Sequence, residues 1–289
     1  MFILVTGASS GIGRDTALAL AAAGHHVIAA ARRLPALEKI RSTSITPLRL
    51  DLDDPASIAS AVDAIERLTG GHGLDVLVNN AGYATAGALA ELSDRDLRAQ
   101  FDTNVFGLMA LTRAVLPAML ARGAGRIVNV SSVSGRIPAP VLGAYHASKY
   151  ALEALSDALR MELAPFGIQV VVVEPGTTKS EFASRALTEA ARARTTSSRY
   201  AAVYERAAKM EAAFDRFSAT TKPSVRAIAR AIHARRPRAR YVAPRRFIVL
   251  IAVVRMLPTS WADALMRRAF GLTRANLAAP APRDVANAA

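Results

Sequence analysis

The chain has no cysteine among its 289 residues. A thiol nucleophile and a disulfide framework are therefore both excluded. Aromatic residues are scarce, at 6%, with a single tryptophan. They do not interleave with the basic residues, so the stacking platform that single-stranded nucleic acid needs is missing, and no nucleic-acid partner is expected. The C-terminal apolar run is too short for a membrane span. As a helix, the apolar run from Phe247 to Leu257 reaches only about 16 Å at ~1.5 Å per residue, whereas a bilayer core needs about 20 apolar residues. No basic stretch followed by an apolar core precedes the first strand, so a signal peptide is not expected and the cytoplasm is the expected compartment. There is no internal repeat. Low complexity is confined to the Ala/Pro-rich tail, 278–289, which the composition predicts to be disordered.

Acidic residues are short in one part of the chain only. Overall, 37 basic and 23 acidic side chains give a net charge of +14. Residues 1–180 carry 16 of each, so 181–289 hold the other 21 basic and 7 acidic residues and the whole excess. An anionic substrate or an anionic lipid surface would be drawn to that part. Peripheral contact with an anionic membrane through 181–289 is one expectation. A solvated arginine-rich surface is the other.

What is present is a regular alternation. Apolar runs near 2–6, 26–31, 46–51, 75–79, 126–132, 168–174 and 240–243 read as strands, with helical stretches between them. No linker interrupts the series, which predicts one α/β domain built on a parallel sheet. Asp94 to Arg122 and Tyr145 to Phe166 read as two long helices. The first strand, Phe2-Ile3-Leu4-Val5, runs into Thr6-Gly7-Ala8-Ser9-Ser10-Gly11-Ile12-Gly13 and then into a helix from Arg14 to Ala23, stopped by Gly24. Strand, glycine turn and helix N-terminus form an anion site, because backbone N–H groups point at a phosphate that no side chain keeps away. The spacing is G-x-x-x-G-x-G, not G-x-G-x-x-G.

Tyr145 and Lys149 are one helical turn apart in Tyr145-His146-Ala147-Ser148-Lys149. A cation beside a phenol favours phenolate, so the pair reads as a tuned proton donor and acceptor. Lys149 is expected to lower the pKa of Tyr145.

Together these motifs resemble the short-chain dehydrogenase/reductase family. Asn79-Asn80-Ala81-Gly82 after Val76-Leu77-Val78, Asn104 in Thr103-Asn104-Val105, Ser131-Ser132 after Ile127-Val128-Asn129-Val130, and Pro175-Gly176 after Val170-Val171-Val172-Val173-Glu174 all fall in the family's order. Of the two serines, Ser132 lies at the family's usual distance before the tyrosine. The resemblance covers 1–180 strongly and continues weakly to about 243. It implies a Rossmann-type doubly wound parallel sheet of about seven strands, helices on both faces, and a helical C-terminal extension. It also implies a catalytic set of Asn104, Ser132, Tyr145 and Lys149. Ser132 would position the substrate oxygen, Tyr145 would transfer the proton, and Lys149 would also hold the nicotinamide ribose. Asn104 would fix a water linking Lys149 to solvent. The cofactor would lie along Gly7, Ser9, Ser10, Gly11, Ile12, Gly13, Asp51, Leu52, Asn80, Pro175, Gly176 and Thr178, and against Tyr145 and Lys149.

Cofactor choice turns on Ala29-Ala30-Ala31-Arg32-Arg33. Enzymes that prefer NAD place a carboxylate here for the ribose hydroxyls. Ala31 stands at that position and Arg32 follows, a guanidinium suited to a 2′-phosphate, so NADP(H) is expected over NAD(H). No metal site is expected. Ser180 stands where the family often has threonine, and Thr177-Thr178-Lys179 is locally unusual. Residues 1–277 are expected to form one domain, with 181–222 as substrate loop and 244–277 as the extension. Phe182, Leu187, Tyr200, Tyr204, Met210, Phe214 and Phe217 would lie on that loop and its helices. The extension resembles the subgroup related to 17β-hydroxysteroid and retinol dehydrogenases, which implies a small hydrophobic carbonyl or alcohol substrate. A second helix there would start at Ser260. Core packing or dimer contact, a substrate lid, and an interfacial anchor all remain open for it. The family implies a homodimer or homotetramer through the helices bearing Asn104 and Tyr145. The competing reading is a catalytically silent NADP(H)-binding sensor or basic surface-binding module.

Overall fold

A computed structural model describes residues 1–178, 198–215, 218–274 and 276–277. The expectations for Ser180, Phe182, Leu187, Phe217, most of the substrate loop and the 278–289 tail lie outside the described residues.

Seven strands form one sheet: β1 Phe2–Thr6, β2 His26–Ala31, β3 Ile45–Arg49, β4 Val76–Asn79, β5 Gly125–Val130, β6 Ile168–Pro175 and β7 Arg240–Ala243. Their order is β3-β2-β1-β4-β5-β6-β7, and every neighbouring pair is parallel. The chain winds outward from β1 to β3, then restarts at β4 on the other side of β1. That reversal opens a crevice at the C-terminal ends of β1 and β4, the usual ligand position in such sheets. The inner strands β1, β4 and β6 are largely apolar and buried because both faces are covered, whereas the edge strands β3 and β7 carry Arg49 and Arg240 and are only half-buried. Ile3 and Val5 of β1 pack on one face with Ala17 and Leu20 of α1 (Gly11–Ala22), Leu37 of α2 (Leu34–Glu38), and Ala227, Ile228 and Ala231 of a later helix. Leu4, from the alternate position, packs on the other face with Ile58, Ala61 and Ile65 of α3 (Pro55–Thr69) and with Leu111, Val115 and Met119.

The helix expected from Asp94 to Arg122 is present but not uniform. It runs as α4 (Asp94–Phe101), a π-helical segment Asp102–Gly107, and α5 (Leu108–Arg122). It is long and apolar enough to cross a membrane. Here its α5 portion is a layer of the core, through Leu111, Val115 and Met119. A Cβ on Gly107 would overlap the Leu52 carbonyl, so this glycine lets the segment lie against the loop after β3. The helix α6 (Gly143–Leu163) carries Tyr145 and Lys149 and ends in a 3₁₀ turn, Ala164–Phe166. Four helices follow among the described residues: α7 (Ala201–Asp215), α8 (Lys222–His233), α9 (Phe247–Met256) and α10 (Thr259–Phe270).

Candidate active site

The glycine turn after β1 has the expected form. Gly7 and Gly11 take positive φ angles of 67° and 54°. Ser10, the residue before α1, is extended and makes no side-chain cap, and the first turn of the helix holds no acid. The first-turn N–H groups of α1 are thus left uncapped by a side chain, and the local potential favours an anion. Gly13 packs so closely that a Cβ would overlap the Gly7 carbonyl and the Asn80 side chain. Thr6 ties this turn to the loop after β4. Its Oγ1 accepts from the Asn80 and Ala81 backbone N–H groups at 2.9 and 3.0 Å, and its carbonyl accepts from Asn80 Nδ2 at 2.9 Å. These features fit a dinucleotide diphosphate. Gly7, Ser9, Ser10, Gly11, Ile12, Gly13 and Asn80 would surround it.

At the C-terminal end of β5, Ser132 is buried, and its hydroxyl lies close enough to the Tyr145 phenol to favour the ionised form. That hydroxyl also donates to the Pro175 carbonyl at 3.3 Å and accepts from the Ser134 N–H at 3.1 Å. Pro175 ends β6, so the strand ends bring Ser132, Pro175 and Gly176 to one edge of the sheet. Tyr145 is 7% exposed, packed with Ala84 and Leu142. The Lys149 ammonium lies 5.9 Å from the Tyr145 ring centre and donates to the Val130 carbonyl at 2.9 Å.

The electrostatics correct one expectation. Tyr145 is not brought down by its cationic neighbour. Burial pushes the phenol up to about 12, with the Ser132 hydrogen bond acting against that shift. Burial brings Lys149 down to about 8, opposed by Glu153, which lies one turn farther along α6. Burial is the largest cause of both shifts, because it disfavours the charged form of each group. The resting tyrosine is therefore fully protonated.

Asn104 sits on the π segment, with its amide committed. Oδ1 accepts from the Tyr83 N–H at 3.1 Å, and Nδ2 donates to the Tyr83 carbonyl at 3.0 Å and to Ser148 Oγ at 3.1 Å. Both amide hydrogens are used, so the side chain braces the loop after β4 against α6. One turn earlier, the fully buried Gln100 accepts from the Thr85 N–H at 2.7 Å and donates to the Tyr83 carbonyl at 2.9 Å. Sequence reading missed Gln100. Its only signal was a lone amide four positions before Asn104.

Behind Lys149 lies a charged cluster that the sequence also hid. Arg240 of β7 bonds Glu153 at 3.0 Å and Asp157 at 2.6 Å. It also pairs with the fully buried Glu174 of β6 at 3.3 Å, and Arg136 holds Glu174 at 2.8 Å. Burial raises the Glu153 carboxyl above its ordinary value.

The other predicted residues fall near the crevice or its rim. Asp51 Oδ1 accepts from the Asp53 N–H at 3.2 Å, and Leu52 is buried beside Gly107. Thr178 forms a parallel bridge with Ala219, and its hydroxyl donates to the Gly176 carbonyl at 3.1 Å. Arg32 and Arg33 line a shallow concavity with Leu34, Pro35, Lys39 and Arg49, and among the described residues no carboxylate lines it. Arg49 is paired in register with Ala31, across from the expected acid position. Arg49 and Lys39 were not read from the sequence, because only the β2–β3 register brings Arg49 there.

The short chain dehydrogenase family profile matches residues 1–191. The chain belongs to this family. The short-chain dehydrogenase/reductase similarity extends to curated proteins. YbbO, an oxidoreductase of Escherichia coli K12, is 47% identical over 180 residues, which is 62% of this chain and 66% of that protein. The match thus spans just under two thirds of that relative's length. The NADPH-dependent 3-dehydrocapnine reductase of Ornithobacterium rhinotracheale is 33% identical over 276 residues, 91% of this chain and 95% of that one. Among solved structures, a short-chain dehydrogenase/reductase from Burkholderia phymatum in complex with NAD superposes with a TM-score of 0.76. It is 26% identical, covering 88% of this chain and 92% of that one. The Rossmann-type sheet and the short-chain dehydrogenase/reductase assignment therefore both stand.

Proposed function

We propose that this chain is an NADP(H)-dependent oxidoreductase that transfers hydride between nicotinamide and a small hydrophobic ketone, aldehyde or alcohol. The observation that carries the reading is the buried Tyr145 phenol beside the buried Ser132 hydroxyl at the sheet's C-terminal edge, with the Lys149 ammonium 5.9 Å from the Tyr145 ring centre. A nicotinamide held along this edge would supply or take the hydride. In reduction, Ser132 donates a hydrogen bond to the carbonyl oxygen and fixes its place. Tyr145 gives that oxygen its proton, and the Lys149 charge stabilises the phenolate left behind. Asn104 and Gln100 are positioning residues that hold the Tyr83–Thr85 loop beside the site.

The sign of the pH dependence follows from Lys149. Its charged form is lost as pH rises through about 8. Carbonyl reduction should therefore decline above that pH. In Glu153→Gln the opposing carboxylate is gone, and the falling limb should move to lower pH. A pH–rate profile that stays flat to about pH 10 in the unsubstituted protein would count against Lys149 as the titrating group.

For the cofactor, Arg32, with Arg33, Lys39 and Arg49 around it, would take the 2′-phosphate, and the dinucleotide would run from there past Asp51 and Leu52 to Pro175, Gly176 and Thr178. The NADPH dependence of the 3-dehydrocapnine reductase supports this, whereas the Burkholderia neighbour holds NAD. Arg32→Ala with Arg49→Ala should cut the NADPH-over-NADH ratio of kcat/KM by about 10- to 100-fold, from ~1.5–3 kcal/mol for a charge-assisted hydrogen bond. An unchanged ratio would move recognition to Arg33 or Arg14.

Residues 1–277 act as one domain in this reading, with 181–222 as substrate loop, 244–277 as helical extension and 278–289 as tail. A homodimer or homotetramer forms through the helices bearing Asn104 and Tyr145, where Phe106 (61% exposed) and Met161 (68%) leave apolar surface. The protein is cytoplasmic, with its basic 181–289 part in peripheral contact with an anionic membrane.

A further inference from the structure

The helix α9 is apolar at nine of its ten positions, yet Ile251 is its one buried residue. Val249, Val253 and Met256 recur at helical spacing and are 66%, 52% and 84% exposed. On α10, Trp261 and Leu265 are one turn apart and 68% and 54% exposed. The inner sides of both helices are already engaged. Ile251 anchors α9, and Phe270 anchors α10 in a cluster with Val203 and Tyr204. This much exposed apolar surface on two helices consecutive in the chain is not explained by solvent alone. Its surroundings are strongly basic. From Arg245 to Arg274 there are six arginines (245, 246, 255, 267, 268 and 274) against one acid, Asp263. Arg245, Arg246, Arg255, Arg267 and Arg268 are all exposed.

The geometry points to α9 and α10 as a docking surface for an anionic lipid bilayer, with Val249, Val253, Met256, Trp261 and Leu265 entering the acyl boundary and the arginines meeting the headgroups. Apolar residues bracketed by arginine, on helices too short to span, are what an interfacial element requires. A second copy of the chain would bring the same arginines face to face. The patch also adjoins the active site. The Phe247 ring at the start of α9 packs so closely on Gly176 that a Cβ there would overlap it. A docked α9 thus sets the loop after β6 near the lipid, so that a lipophilic substrate can pass from bilayer to site. This last step rests on the oxidoreductase reading. The docking itself does not.

Trp261 is the chain's single tryptophan and reports on the surface directly. Full-length protein is mixed with vesicles of phosphatidylglycerol and phosphatidylcholine, or of phosphatidylcholine alone, and followed by flotation and by Trp261 emission. Expected are flotation with the anionic vesicles, a blue shift, and protection from acrylamide. Both Val249→Glu/Val253→Glu and Arg245→Glu/Arg246→Glu should weaken binding at least tenfold while leaving NADPH binding intact. The proposal is overturned by an absence of flotation at low salt, or by flotation that survives Val249→Glu/Val253→Glu. It is equally overturned by a blue shift that follows protein concentration without vesicles, which assigns the face to a second copy. NADPH oxidation with soluble aldehydes, measured without vesicles, separates the two readings: activity there with no flotation removes only the docking.

Discussion

Tyr145→Phe should lower kcat by about 10²–10⁴-fold, the range that general acid–base catalysis supplies. The substitution removes one oxygen and keeps the ring packed with Ala84 and Leu142. Stability should change by only about 0.5–1.5 kcal/mol, the net contribution of one hydrogen bond. NADPH binding should persist, because the glycine turn and the arginine-lined concavity are untouched. Steady-state kinetics and a fluorescence titration with NADPH separate the two effects. Near-normal turnover on the true substrate would end the assignment of Tyr145 as the acid. Ser132→Ala should slow the reaction as well. It would remove the substrate's hydrogen bond and the phenol's partner together.

Gly13→Ala should have the opposite signature, losing the cofactor first. The new methyl would overlap the Gly7 carbonyl and the Asn80 amide. Neither can retreat freely. Gly7 is part of the turn itself, and Asn80 Nδ2 is tied to the Thr6 carbonyl at 2.9 Å. The turn must open, which costs about 1–3 kcal/mol for overpacking of this kind. It also pulls the N–H groups of α1 away from the diphosphate. NADPH affinity should drop at least tenfold, that is by roughly 1.4 kcal/mol or more. Thermal unfolding should shift down in the same sample. Unchanged affinity would show that the turn does not cradle the diphosphate.

The strands were legible because a parallel sheet covered on both faces leaves largely apolar runs. β1, β2 and β7 lie at the predicted residues, while β3 begins one residue earlier and ends two earlier than expected. The glycine turn was legible because its chemistry is local. What stayed hidden depends on distance in the fold. Gln100 acts on a loop 15 residues away, and Arg49 reaches the concavity lined by Arg32 and Arg33 only through strand register. The tyrosine's shift went the other way from expectation because spacing gives neighbours but not depth. Two charges that attract each other across a helical turn are still both desolvated. Glu174 read as the end of an apolar strand, and its partners Arg136 and Arg240 come from distant segments.

The π segment at Asp102–Gly107 lets one rod keep two appointments. An ordinary helix advances about 100° per residue, so every side chain on it shares a single phase. The surplus residue in the wide turn resets that phase midway. Beyond it, Leu111, Val115 and Met119 can face the sheet. Before and within it, Gln100 and Asn104 can grip the Tyr83–Thr85 loop. Closing the bulge into a regular α-turn would leave the rod intact but force a choice between a sealed interior and a braced Tyr83–Thr85 loop.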